Sequence, residues 1–141
     1  KIQQLPHVVF KDLVPYEQVP KLMREADALL VPVTFDEKML LFSKYSMPTK
    51  VPEYMISGTP VILYGPQDAA PLAYARNAAW GYVIDQPGKE NLKQRLVELT
   101  RNPRLRQQAG QPAQLLAREH HDLSKVREAF WEELLRAWHG A

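Results

Sequence analysis

The sequence predicts an α/β fold: a parallel sheet with flanking helices, followed by a helical C-terminal third. Short, continuous apolar runs recur through the first part of the chain, as strands buried on both faces of a parallel sheet require. Between them lie stretches whose apolar residues return at helical spacing, which gives the strand–helix–strand rhythm of βαβ crossovers. After Gln86 the strand signals stop, and helical periodicity continues to the end.

In chain order, "HVVF" (His7–Phe10) is a short β-rich run and reads as a first strand. The residues before it, from Lys1, read as the tail of a helix, so the chain is expected to be a fragment of something longer. "YEQVPKLMREAD" (Tyr16–Asp27) sets Val19, Leu22, Met23 and Ala26 on one helical face, ending at Asp27. "ALLVPV" (Ala28–Val33) and "PVILY" (Pro60–Tyr64) are continuous apolar strands, the second beginning with a tolerated proline. The stretch between Val33 and Tyr45 reads as a long loop. "AAPLAYARNAA", Ala69 to Ala79, is a small-residue helix, and "WGYVID" (Trp80–Asp85) is a fourth strand. Leu92, Leu96 and Leu99 then form one helical stripe, and Pro103 restarts a second helix. The terminal helix, 123–138, aligns Val126, Phe130, Leu134 and Trp138, with Trp131 and Leu135 beside them. All 141 residues are read as one domain.

Composition excludes several classes. A net charge of +2 leaves no basic footprint for nucleic acid. The absence of cysteine removes disulfides, thiolate metal sites and cysteine nucleophiles. No apolar run approaches the roughly 20 residues that span a bilayer, and no signal peptide opens the chain.

The chemistry points to "KYSMPTKVPEYMISGTPVILYGP" (Lys44–Pro66). Proline lacks an N–H and is tolerated only in a helix's first turn, so Pro52 places a helix start near Thr49, a residue type that caps helices. Free amides there, the positive end of the helix dipole and the mobile charge of Lys50 would suit a phosphate. Glu53, one turn in, could accept from the diol of a ribose. The same residues equally fit a helix whose first-turn acid stabilises its own dipole while Lys50 stays in solvent.

Three blocks in order resemble one family. "PKLMREADALLVP", "EYMISGTPVI" and "NPRLRQQAGQPAQLLAREHHDLSKV" are similar to the C-terminal domain of GT-B glycosyltransferases of the group 1, retaining kind. The resemblance implies a Rossmann-like sheet that binds a nucleotide-sugar. By it, Ser46, Met47, Pro48, Thr49 and Lys50 would hold the donor diphosphate and Glu53 the ribose. Lys11, Leu13 and Val14, in the turn that also holds Asp12, would edge the base. It also implies an acceptor held by an absent N-terminal domain, and two strand–helix units absent between "VVF" and "LLVPV". The fragment would then expose sheet edges and could self-associate, and its last helix would pack toward the missing domain.

There are departures. The family's first acid would stand at position 45, which is Tyr45; Asp36 and Glu37 read as surface charges rather than substitutes. No D-x-D motif appears, so neither a metal nor a cofactor is expected beyond the nucleotide-sugar, and no catalytic residue is assigned. His7, His120, His121 and His139 fall outside the candidate site. A regulatory flavodoxin-like or receiver-like module, and an epimerase or phosphorylase of the same architecture, remain the alternatives. A role in polysaccharide biosynthesis and a cytoplasmic location, including the cytoplasmic face of a membrane, are what the resemblance implies.

Overall fold

The computed structural model of the protein describes residues 5–140. The expected helix tail at Lys1–Gln4 lies outside them. Strands β1 (Leu29–Pro32), β2 (Val61–Tyr64) and β3 (Tyr82–Ile84) form a three-stranded parallel sheet in the order β1-β2-β3. Leu29 pairs with Val61, and Ile62 with Tyr82. The α/β class is as the apolar runs predicted, and each of these strands falls within its expected stretch.

Seven helices accompany the sheet among the described residues. They are α1 (Val19–Glu25), α2 (Glu37–Lys44), α3 (Lys50–Ser57), α4 (Ala70–Asn77), α5 (Lys89–Arg101), α6 (Pro103–His120) and α7 (Leu123–His139). Both faces of β2 are covered, which explains its unbroken apolar sequence. Val61 and Leu63 meet Met55 of α3, Leu72 of α4 and Ala113 of α6 on one face. Ile62 meets Ile84 and Leu99 of α5 on the other. Burying such side chains contributes about 1.5–3 kcal/mol each relative to exposure.

The turn from α3 into β2 is built by the small residues Ser57, Gly58 and Thr59. Gly58 ends α3 with φ 75°, a left-handed conformation suited to glycine. Its carbonyl faces Gly110 of α6 so closely that a Cβ on Gly110 would lie 1.7 Å from the oxygen. Thr59 Oγ1 donates to the Met23 carbonyl at 2.7 Å, tying this turn to α1. Arg106 of α6 donates to the Leu99 carbonyl at 2.7 Å and lies 3.2 Å from Asp27. The tail that resembles the family therefore supplies packing: Pro103 opens α6, Arg106 clamps it, Gly110 lets it approach α3, and Ala113 fills the core.

Three expectations are corrected. His7–Phe10 forms no strand: Leu5–His7 turn, and Val9 and Phe10 stand exposed. A β-rich run becomes a strand only where a ladder partner lies alongside, and none does among the described residues. The helix expected over Tyr16–Asp27 divides into a 3-10 turn (Tyr16–Gln18) and α1, with Pro20 in the first turn of α1. The expected loop after β1 contains α2, whose start is capped by Asp36 accepting from the Lys38 amide at 2.9 Å. Asp36 is thus a surface charge with a structural task.

Candidate functional site

The carboxyl ends of the strands of an open α/β sheet are where ligands ordinarily bind. Here β1 runs out at Pro32 and the chain returns through α2 to the segment Ser46–Thr49, just before α3. Ser46 and Pro48 line a cleft of about 300 Å³ with Val33, Thr34, Phe42 and Pro71.

Helix α3 starts at Lys50 with Thr49 in the cap position, where Pro52 sets it. Thr49 makes no side-chain cap, however. A cap oxygen accepts from the second or third helical amide. The second, Val51, is already bonded to the Pro48 carbonyl at 3.0 Å, and the third is Pro52, which has none. The donors at this helix start are accordingly fewer than expected: the amides of Thr49 and Lys50 have no partner among the described residues. An anion placed there would meet those two N–H groups and the exposed Lys50 ammonium.

Glu53 stands one turn into α3 and is half-buried. Its Oε1 accepts from the Tyr16 phenol at 3.1 Å. That bond, and then the charge of the carboxylate, raises the Tyr16 pKa above its ordinary value. Tyr16 belongs to the same connection as Lys11, Leu13 and Val14, so the segment expected to edge the base is joined to the α3 start through this bond. Lys11 and Leu13 are exposed and Val14 is half-buried.

The remaining expected residues do not share one enclosed cavity. Met47 lines a separate concavity of about 410 Å³ with Tyr74, Leu116, His120 and His121. Glu53 lines a cleft of about 280 Å³ with Pro52, Ile56, Arg118, His121 and Asp122. Arg118 was not anticipated, and His121 had been expected to lie away from the site. The close crossing at Gly58 and Gly110 swings the end of α6 across the first turn of α3, which brings both residues opposite Glu53. The signal available in the sequence was the helix itself: from Gly110, about 1.5 Å of rise per residue carries the chain the length of α3.

His121 Nε2 lies 3.0 Å from the Tyr74 hydroxyl, and the two rings meet edge-on. Burial, and secondarily the neighbouring His120, lowers the His121 pKa below its ordinary value, which favours the neutral imidazole beside the phenol. Burial also raises the Tyr74 pKa. Tyr45, where the resemblance calls for an acid, is exposed, with the Lys44 ammonium over its ring at 5.7 Å. Among the described residues no group of three or more His, Asp or Glu side chains is placed to hold a metal ion. Nor is any helix long and apolar enough to cross a membrane.

A family model described as Glycosyl transferases group 1 matches residues 1–115, well over half of the chain. No curated protein and no solved structure matches it.

Proposed function

Because the chain belongs to the group 1 glycosyltransferases, a family of sugar transferases, we propose that it is the donor-binding half of a retaining, nucleotide-sugar-dependent enzyme. The observation that carries this reading is the start of α3, where two unpartnered amides and Lys50 adjoin a half-buried carboxylate one turn deeper. A diphosphate fits the amides and the ammonium, and a ribose diol fits Glu53. When the glycosidic bond breaks, negative charge grows on the leaving diphosphate. Fixed amides and Lys50 stabilise that charge without reorganising. Ser46, Met47 and Pro48 shape the approach to this helix start, and Lys11, Leu13 and Val14 border the base.

The acceptor is bound by a domain outside this chain, and the apolar stripe of α7 packs toward that domain. Two further strands complete the sheet on the open side of β1, and without them the exposed surfaces favour self-association. The enzyme works on the cytoplasmic side, where nucleotide-sugars are made.

Titration calorimetry of the full-length enzyme with UDP, GDP, dTDP and ADP, with and without magnesium, tests the reading. The expected outcome is micromolar binding of one nucleotide, abolished by Glu53→Ala. Binding of none, or binding unchanged in Glu53→Ala, overturns it.

A further inference from the structure

We infer that Tyr16 is a positioning residue for ribose recognition, holding the Glu53 carboxylate in the orientation that accepts from the diol. The inference rests on the donor-site reading above and extends it to a residue outside the expected site.

The contact joins residues 37 positions apart, the phenol O–H donating to Glu53 Oε1 at 3.1 Å. Both groups are mounted on a closed frame. Pro15 fixes the backbone just before Tyr16 with φ −52°, and the 3-10 turn that follows is closed by the Gln18 amide on the Pro15 carbonyl at 2.9 Å. The turn runs directly into α1. The far end of α1 is then held by Thr59 Oγ1 on the Met23 carbonyl, and Thr59 follows Gly58 at the end of α3. Tyr16, α1, Thr59, α3 and Glu53 therefore make one ring of contacts, which sets the backbone of Tyr16 at a fixed distance from the start of α3 and within reach of the carboxylate.

Glu53 needs such a partner. A glutamate on the first turn of a helix has three side-chain torsions, and Lys50 forms no ion pair with it among the described residues. Tyr16 is 69% exposed, so its ring contributes little to the core, and its hydroxyl acts on Glu53 rather than on packing. A phenol in this position donates a hydrogen bond to one carboxylate oxygen and leaves the other free to accept from a ligand. The chemistry that matches is a hydroxyl donor, and a site organised around a substrate hydroxyl rejects the analogue lacking it. The ligand is thus a ribonucleoside diphosphate, and the discrimination at stake is ribose against 2′-deoxyribose.

The test is to titrate the full-length enzyme with UDP, GDP and ADP and with their 2′-deoxy counterparts, comparing wild type with Tyr16→Phe, Glu53→Gln and the double variant. Tyr16→Phe should keep the wild-type unfolding midpoint and weaken the ribonucleotide about three- to tenfold, the scale of one ordinary intramolecular hydrogen bond. The 2′-deoxy counterpart should weaken less, so the ratio between the two narrows. In the Glu53→Gln background the added Tyr16→Phe should leave that ratio where Glu53→Gln alone put it; a purely structural role would instead subtract again. If Glu53→Gln weakens binding while Tyr16→Phe alters neither affinity nor ratio, Tyr16 has no such role and the donor-site reading survives. If the wild-type full-length enzyme binds none of the nucleotides, or Glu53→Gln changes nothing, the donor-site reading fails and takes this inference with it.

Discussion

Helices α3 and α7 both carry a pronounced apolar stripe, yet their surroundings are opposite. In α3, Val51 and Met55 are fully buried against the sheet and α6. In α7 no residue is buried, and Trp138 is 80% exposed. Their starts differ in the reverse sense. The α3 start has no side-chain cap, whereas Asp122 accepts from the Ser124 and Lys125 amides at the start of α7. Helix α7 also carries an Arg136–Glu133 pair at 2.6 Å one turn apart. A helix secured by packing can leave its first amides free for a ligand, while a helix without cover depends on local devices.

If packing holds α3, the largest effect belongs to the contact that makes the packing possible. Gly110→Val sets a branched side chain where even a Cβ would lie 1.7 Å from the Gly58 oxygen. Backbone stands on both sides, so α6 must move away. The expected loss exceeds about 4 kcal/mol, against a total stability of about 5–15 kcal/mol for a domain. Thermal unfolding followed by circular dichroism should show a collapsed midpoint or no cooperative transition; a midpoint within a few degrees of wild type would mean that α3 and α6 do not meet as described.

The next pair compares the two stripes directly. Met55→Ala removes a fully buried side chain, and such truncations cost about 2–5 kcal/mol. Trp138→Ala removes a larger side chain from an exposed face, where the change should stay within about 0.5 kcal/mol. Urea denaturation of both variants measures the difference. Equal losses would show that α7 is covered in solution, and a loss from Trp138→Ala that grows with protein concentration would identify the cover as a second copy.

Amphipathy states that a face exists without stating what covers it, and this sets what could be read in advance. The strands at Leu29–Pro32, Val61–Tyr64 and Tyr82–Ile84 were legible because continuous apolar runs demand cover on both faces. The α3 start was legible because Pro52 admits few placements. "HVVF" misled because β-propensity reports a fit to a neighbouring strand, and no such neighbour stands among the described residues. Helix α2 was overlooked although Asp36 followed by Glu-Lys-Met-Leu-Leu is a capped run of helix formers. Half of the failure of Thr49 to cap was legible, since Pro52 removes one of the two amides that a cap serves; the other, Val51, is taken by the Pro48 carbonyl, which no local pattern shows. Tyr16 beside Glu53, and His121 across from it, depend on how α1 and α6 cross α3, which no local pattern encodes.

The smallest expected effect probes the cap of α7. The Asp122 pKa is lowered first by the Ser124 hydroxyl, then by the amides of Lys125 and Ser124. A carboxyl whose folded pKa is depressed adds stability that is present above the pKa of an unfolded aspartate. That stability is lost as pH falls from there through the folded value. The amide proton resonances of Ser124 and Lys125 should therefore hold their bonded positions at pH values where a free aspartate already carries its proton, and move only in stronger acid. In Asp122→Ala the two resonances should lose this titration and the first turn of α7 should fray, while the midpoint of global unfolding barely changes, because nothing in the core depends on α7. A large drop in that midpoint would reverse the comparison, making α7 a helix that the rest of the fold needs.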